Sequence, residues 1–221
     1  MKIEVTGYSK TINKNKVLDN ISVRFTSGKV YGIRGENGSG KTMLMKAICG
    51  LIFADSGNVS IDGRIIGRDI SFPESVGILI ENSGFIGSYS AYDNLKSISL
   101  IKSCAGDNEI YEALEAVGLD SHSKKKYRQF SLGMKQKLGI AAAIFEKPDL
   151  IILDEPFNAL DEKSRTRIKN IINERSEAGA LVIVSSHDKE LLDDVCDEII
   201  NIQEGKLIEA HNSKTQRNME T

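Results

Sequence analysis

The sequence predicts an α/β fold: a parallel sheet at the core, an antiparallel β flank, and a helical subdomain at about residues 85–145. Three observations predict it. Val76–Ile80, Leu150–Leu153, Ala180–Val184 and Ile199–Ile202 are short continuous apolar runs, as parallel strands covered on both faces require. Helical stretches separate these runs, and strands alternating with helices indicate a parallel core. The first quarter alternates instead, with Ile3 and Val5 on one face of a strand, and Ile21, Val23 and Phe25 on one face of another. Half-buried antiparallel strands have that pattern.

In chain order, Val30–Arg34 reads as a strand and Thr42–Gly50 as a strongly apolar helix opening from a glycine loop. Val59–Ile66 carries a hairpin signal, because Asp62-Gly63 suits a tight turn with positive φ. Ile110, Leu114 and Val117 recur at helical spacing, and Gly118 follows as a stop. Ile168, Ile171 and Ile172 mark a further helix that ends near Gly179. Residues 210–221 read as a polar tail. With no internal repeat, residues 1–221 read as a single domain with the helical subdomain inserted.

Composition narrows the function. The chain has 221 residues, 40% hydrophobic and 27% charged, with a formal net charge of −2. That balance offers no basic field for a polyanion, so nucleic acid is not expected as a partner. The run Lys124-Lys125-Lys126-Tyr127-Arg128 reads as a solvated face. No apolar stretch approaches the roughly 20 residues that cross a bilayer. Glu4 interrupts the first apolar positions, so the N-terminus does not read as a signal peptide. Three widely spaced cysteines, Cys49, Cys104 and Cys196, argue against a disulfide framework and against a zinc site.

Gly35-Glu36-Asn37-Gly38-Ser39-Gly40-Lys41-Thr42 matches the phosphate-loop pattern in full. Glycines at 35, 38 and 40 let the backbone curl so that successive N–H groups face one anion. The following helix adds its positive end. Gly35, Asn37, Gly38, Ser39, Gly40, Lys41 and Thr42 are therefore the candidate nucleotide-binding residues. Lys41 can reach the β- and γ-phosphates, and the Thr42 hydroxyl can hold Mg²⁺, which prefers hard oxygen ligands.

Leu150-Ile151-Ile152-Leu153-Asp154-Glu155 is a buried strand ending in two acids. Unpaired burial of such charges is costly, and the carboxyl end of a parallel strand faces the ligand crevice. Asp154 is the candidate that positions Mg²⁺, and Glu155 the candidate that polarises an attacking water. His187 follows a third apolar run. With Lys41, Glu155 and His187 make up the candidate catalytic set, and phosphoryl transfer needs little beyond such positioning and charge stabilisation.

These motifs, in this order, resemble the nucleotide-binding subunit of ABC transporters over nearly the whole chain. The family's signature segment falls on Phe130-Ser131-Leu132-Gly133-Met134, its D-loop on Asn158-Ala159-Leu160-Asp161, and its switch histidine on His187. The resemblance implies an ATPase whose Ser131 and Gly133 contact the γ-phosphate held by another subunit. Two complete sites then require a second ATPase subunit, a copy or a paralogue. It also implies separate transmembrane permease subunits, ATP and Mg²⁺ as ligands, and a place on the cytoplasmic face of the cell membrane.

Three departures from the family pattern stand out. Its Q-loop glutamine falls on Glu81, which as a carboxylate can still ligand the metal. Leu132 and Met134 replace a glycine and a glutamine of the signature. The aromatic that stacks on adenine falls on Ile12, leaving Ile12 or Val17 as an apolar contact, with Tyr8 as a substitute only if the strand register shifts. Glu81 together with Ser131–Gln136 looks like the branch of exporters for bacitracin-type antibiotics and of lantibiotic immunity transporters. Gly84–Leu95 fits the family surface that receives a permease's coupling helix, the alternative being an ordinary loop leading into a helix. Two rival functions use the same motifs: a non-transport ABC-type ATPase acting on nucleic acid or the ribosome, and a nucleotide-sensing regulatory subunit without turnover.

Overall fold

The computed structural model describes residues 1–81, 84–102 and 105–212. Cys104 lies outside the described residues. Strands β1 (Lys2–Ile12) and β2 (Asn15–Thr26) pair antiparallel, with Ile12 opposite Asn15. The two-residue turn between them puts Asn13 and Lys14 at φ 49° and 68°, the positive pair that matches strand twist. β4 (Ser56–Ile61) pairs with the other edge of β1, and β5 (Arg64–Ile65) returns through Asp62-Gly63 at φ 48° and 82°. The four-stranded flank has the order β2-β1-β4-β5.

The second sheet has six strands in the order β10-β9-β3-β8-β7-β6. These are β3 (Lys29–Arg34), β6 (Val76–Leu79), β7 (Leu150–Leu153), β8 (Leu181–Ser186), β9 (Glu198–Gln203) and β10 (Lys206–Asn212). All neighbours run parallel except β10, which pairs antiparallel with β9. Residues 210–212, read from sequence as the start of a polar tail, belong to β10; antiparallel pairing along the β9 edge gives their backbone groups partners.

Alternation along the strands explains the continuous apolar runs. Leu150 and Ile152 of β7 enter one core with the β flank and helix α1 (Lys41–Ile48). Ile151 and Leu153 enter another, with α3 (Asp107–Ala116), α4 (Leu132–Ile144), α5 (Glu162–Glu177) and α6 (Lys189–Val195). Both faces are covered, so no position in the strand can be polar. Between the sheets' connections, α2 (Ala91–Lys102), α3, a 3-10 turn (Tyr127–Gln129) and α4 occupy the segment read as helical. The second half of α4 is buried against β6 and β7 rather than standing apart. Gly77 permits that approach, because a Cβ there would lie 1.7 Å from the Ala143 carbonyl oxygen.

Capping residues start three helices. Ser131 Oγ accepts from Met134 N at 3.2 Å on α4, and Asp161 from Ser164 N at 2.8 Å on α5. Asp188 accepts from Leu191 N at 3.3 Å on α6. Each satisfies a backbone donor that the first turn leaves free. The Ser164 side chain and N–H also hold the Asp161 carboxyl below its ordinary pKa.

Candidate functional site

The loops after β3, β6, β7 and β8 leave the carboxyl edge of the parallel sheet, where such folds bind ligands. The loop after β3 is the glycine loop. Gly38 and Gly40 have φ of 81° and 113°, a region L side chains rarely adopt. Gly35 is required by space instead: a Cβ there would lie 2.3 Å from the Ile202 carbonyl oxygen and 2.4 Å from Ser39 Oγ. Lys41 opens α1 and folds back over the loop, donating from Nζ to the carbonyl oxygens of Gly35 at 2.7 Å and Glu36 at 3.1 Å. Its side chain is only 6% exposed, and its ammonium lies 3.5 Å from Glu155 Oε1.

The loop after β7 carries the two acids. Asp154 Oδ2 accepts from Thr42 Oγ1 at 2.6 Å, and Asp154 Oδ1 accepts from the Ser185 hydroxyl of β8. Ser185 Oγ in turn accepts from Glu155 N at 2.9 Å. Glu155 sits at φ 49°, a strained turn for a residue with a Cβ, and such residues cluster at functional sites. Gln136 of α4 holds the same turn, donating from Nε2 to the Glu155 carbonyl oxygen at 3.0 Å. His187, after β8, brings Nδ1 to 3.2 Å from Glu155 Oε2. One carboxylate thus faces both Lys41 and His187.

Lys41, Asp154 and Glu155 open onto a cavity of about 440 Å³, while His187 lines the hollow beside it. The cavity's walls include Asn37, Gly38, Gly40, Lys41 and Thr42 from the loop, then Asp154 and Glu155. Ile12 and Val17 line it as well, across the hairpin from the loop, so the two apolar candidates share the cavity. Tyr8 does not: it is buried, its hydroxyl donates to the Ile52 carbonyl at 3.0 Å, and burial pushes its pKa up to about 12. The register of β1 against β2 does shift around Tyr8, yet the ring turns into the core. Gly35 and Ser39 wall a neighbouring hollow on the other side of the loop. Ser39 Oγ is buried there without a hydrogen-bond partner.

Glu81 follows β6 and lines the cavity, but its carboxylate is paired with Lys46 of α1 at 2.6 Å. Ser131 and Gly133 stand at the start of α4 and do not line the cavity. A Cβ on Gly133 would lie 2.7 Å from the Ala159 carbonyl oxygen, so the signature turn leans on the D-loop. Leu132 beside them is 71% exposed. The site therefore assembles Lys41, Thr42, Asp154, Glu155 and His187, and keeps Ser131 and Gly133 outside it.

The donor set fits a phosphate and a hard cation. Successive backbone amides and one buried ammonium meet at the loop, while the Thr42 hydroxyl and the Asp154 carboxylate offer hard oxygens. Sequence reasoning missed Ser185 and Gln136. The only signal for Ser185 was a hydroxyl pair, Ser185-Ser186, closing an apolar run. Replacing Ser185 with alanine strands the Glu155 N–H and removes a donor to Asp154. The expected loss is about 1–3 kcal/mol of stability, read by urea unfolding, with reduced turnover. A variant as stable and as active as the parent would show that the hydroxyl holds neither acid.

The sequence profile of the ABC transporter family matches residues 18–158. The uncharacterised ABC transporter ATP-binding protein YybJ of Bacillus subtilis (strain 168) is 47% identical over 205 residues, 93% of this chain and 94% of YybJ. The chain belongs to the ABC transporter family. It is an ATP-binding subunit of that family and an ATPase. Its relatives include the bacitracin transport ATP-binding protein BcrA of Enterococcus faecalis, 36% identical over 95% of this chain and 69% of BcrA. They also include the lantibiotic transport ATP-binding protein SrtF of Streptococcus pyogenes, 35% identical over 93% of this chain and 89% of SrtF. The bacitracin and lantibiotic branch read from Glu81 and Ser131–Gln136 is thus represented among them.

The fold agrees with that of a solved ATP-binding cassette, MJ0796, in a dimeric post-hydrolysis state bound to ADP and Pi. The TM-score is 0.85 at 22% identity, over 96% of this chain and 98% of the other. In this family member, the glycine loop and the two acids after β7 line one cavity, and His187, on the wall of the neighbouring hollow, reaches Glu155. No helix among the described residues is long and apolar enough to cross a membrane.

Proposed function

We propose that this subunit hydrolyses Mg·ATP at the cavity between Gly35–Thr42 and Asp154–Glu155. Hydrolysis powers export of a small molecule or antimicrobial peptide through separate transmembrane permease subunits. The observation that carries the hydrolytic reading is the convergence of Lys41, Thr42, Asp154, Glu155 and His187 at one sheet edge. The loop amides of Gly38, Ser39 and Gly40, with Asn37, bind phosphate oxygens, and Lys41 neutralises their charge. Gly35 leaves the space the loop needs. Ile12 and Val17 give the adenine an apolar contact. Thr42, Asp154 and Glu81 are the residues that would hold Mg²⁺, Asp154 through water. When bound, the metal neutralises charge on the β- and γ-phosphate oxygens.

Glu155 orients and polarises the attacking water, and His187 keeps the Glu155 carboxylate directed at it. Ser131 and Gly133 do not line their own cavity and serve the γ-phosphate of a second ATPase subunit, a copy or a paralogue. The subunit then works on the cytoplasmic face of the membrane, against its permease. The names of BcrA and SrtF support the antimicrobial substrate class.

Phosphate release measured with and without the permease tests this reading. Mg²⁺-dependent release, raised by the permease, is expected of the native chain. Lys41→Ala is expected to lose phosphate release together with nucleotide binding, because among the described residues Lys41 is the one lysine or arginine that lines the cavity. Native rates in that variant would reject the site, and no release by the native chain under either condition would favour a sensor.

A further inference from the structure

Glu81 belongs to two cavities at once. It lines the nucleotide cavity with Thr42, Asp154 and Glu155. It also lines a second, mainly apolar hollow of about 460 Å³, walled by Leu51, Ile78, Ile80, Phe85 and Ile98. Lys46 lines only the second hollow. The two side chains meet there, Lys46 Nζ lying 2.6 Å from Glu81 Oε1.

The partners differ in how firmly they are held. Lys46 projects from α1, the helix that Lys41 opens. At 1.5 Å per residue it stands roughly 7.5 Å along the axis from Lys41. Its side chain is 20% exposed, against 60% for Glu81. Glu81 lies one residue beyond β6, after Ile80, and takes φ 56°, a backbone state that costs energy for a residue with a Cβ. The less exposed Lys46 is the more confined of the two, and the Glu81 carboxylate, open to solvent, has the room to turn.

We propose that Lys46 is a positioning residue that competes with the bound metal for Glu81. While Lys46 holds the carboxylate, Glu81 is withheld from the nucleotide cavity. When Glu81 turns to the metal, it leaves the Lys46 ammonium unneutralised on the wall of the apolar hollow. The hollow therefore changes charge with the state of the nucleotide cavity, with which it shares Glu81. The competition also lowers the apparent affinity for the metal, because one carboxylate oxygen cannot serve both cations. This inference rests on the reading of Thr42, Asp154 and Glu81 as the metal's holders.

Mn²⁺ binding in the presence of ADP, read from the free-ion electron paramagnetic resonance signal, tests it without turnover. An ion pair of this exposure corresponds to a change of about two- to fivefold in an equilibrium constant. Lys46→Met is expected to tighten Mn²⁺ binding by that factor, and Lys46→Arg to stay at the native value. In a Glu81→Gln background, Lys46→Met is expected to change nothing. An equal effect of Lys46→Met in both backgrounds, or no tightening with Glu81 present, overturns the competition. Asp154→Asn separates the two levels, because it is expected to weaken Mn²⁺ binding by about tenfold or more. If Asp154→Asn is silent, the metal site itself is misassigned and the inference falls with it. If Asp154→Asn weakens binding and Lys46→Met is silent, only the role of Lys46 is lost.

Discussion

Glu155→Gln is expected to lower ATP turnover by about 10²–10⁴-fold, the range for losing a positioned proton acceptor, while nucleotide binding persists. The geometry separates the two effects. The contacts that hold the Glu155 turn are made by its backbone, the N–H to Ser185 Oγ and the carbonyl from Gln136 Nε2. Glutamine keeps both and has nearly the same shape. What disappears is the carboxylate charge facing Lys41 at 3.5 Å and His187 at 3.2 Å. Lys41 then has one fewer anion competing with phosphate, so binding does not suffer. The check is phosphate release beside binding of a fluorescent nucleotide. Unchanged release would remove Glu155 from the chemistry, and parallel loss of both signals would mean that the turn, not the charge, had been damaged.

Gly77→Ala is expected to be the most damaging single substitution for the fold, destabilising it by about 3 kcal/mol or more. Gly77 lies in β6 beneath the last turn of α4. An added Cβ would meet the Ala143 carbonyl oxygen at 1.7 Å, its carbon at 2.7 Å and Pro148 Cγ at 2.9 Å. Two of those atoms are helix backbone, which has no rotamer to change. Relief requires α4 to move off the sheet, and α4 carries both Gln136 and the Ser131 cap. Stability and turnover should therefore fall together. Urea unfolding measures the loss, with Gly87→Ala as a control, since a Cβ there meets nothing closer than Arg128 Cβ at 3.7 Å. A cost below about 1 kcal/mol at Gly77 would be that of an ordinary surface change and would show that α4 shifts freely.

Much of the candidate site was legible before any coordinates. The phosphate loop is contiguous, and its chemistry resides in the backbone, so residue type and spacing announce it. The acids after Leu150–Leu153 stand out because charges rarely follow a buried strand without a partner. The hairpin at Asp62-Gly63 was legible for a similar local reason. Other features had no local signature. Residues 189–195 form α6, too short for its apolar positions to establish a period. Tyr8 had two available fates, and only the packing of the flank against α1 sent it inward. The Glu81 carboxylate was read as a metal holder, whereas its present partner is Lys46, 35 residues away in sequence.

By itself, then, the sequence determined the fold class, the phosphate loop, the acid pair and the family's motif order. Each is a property of neighbouring residues: strand and helix periods, glycine's freedom of φ, and charges at the end of an apolar run. Tertiary structure alone decided which distant groups share a proton or a charge. Thr42 meets Asp154 across 112 residues, and Ser185 joins both acids across about 30. Lys46 takes Glu81, and Gly77 makes room for α4. Those contacts depend on the order in which β3, β8, β7 and β6 lie in the sheet, and lateral order is set by packing across the whole core, which no short stretch of sequence encodes.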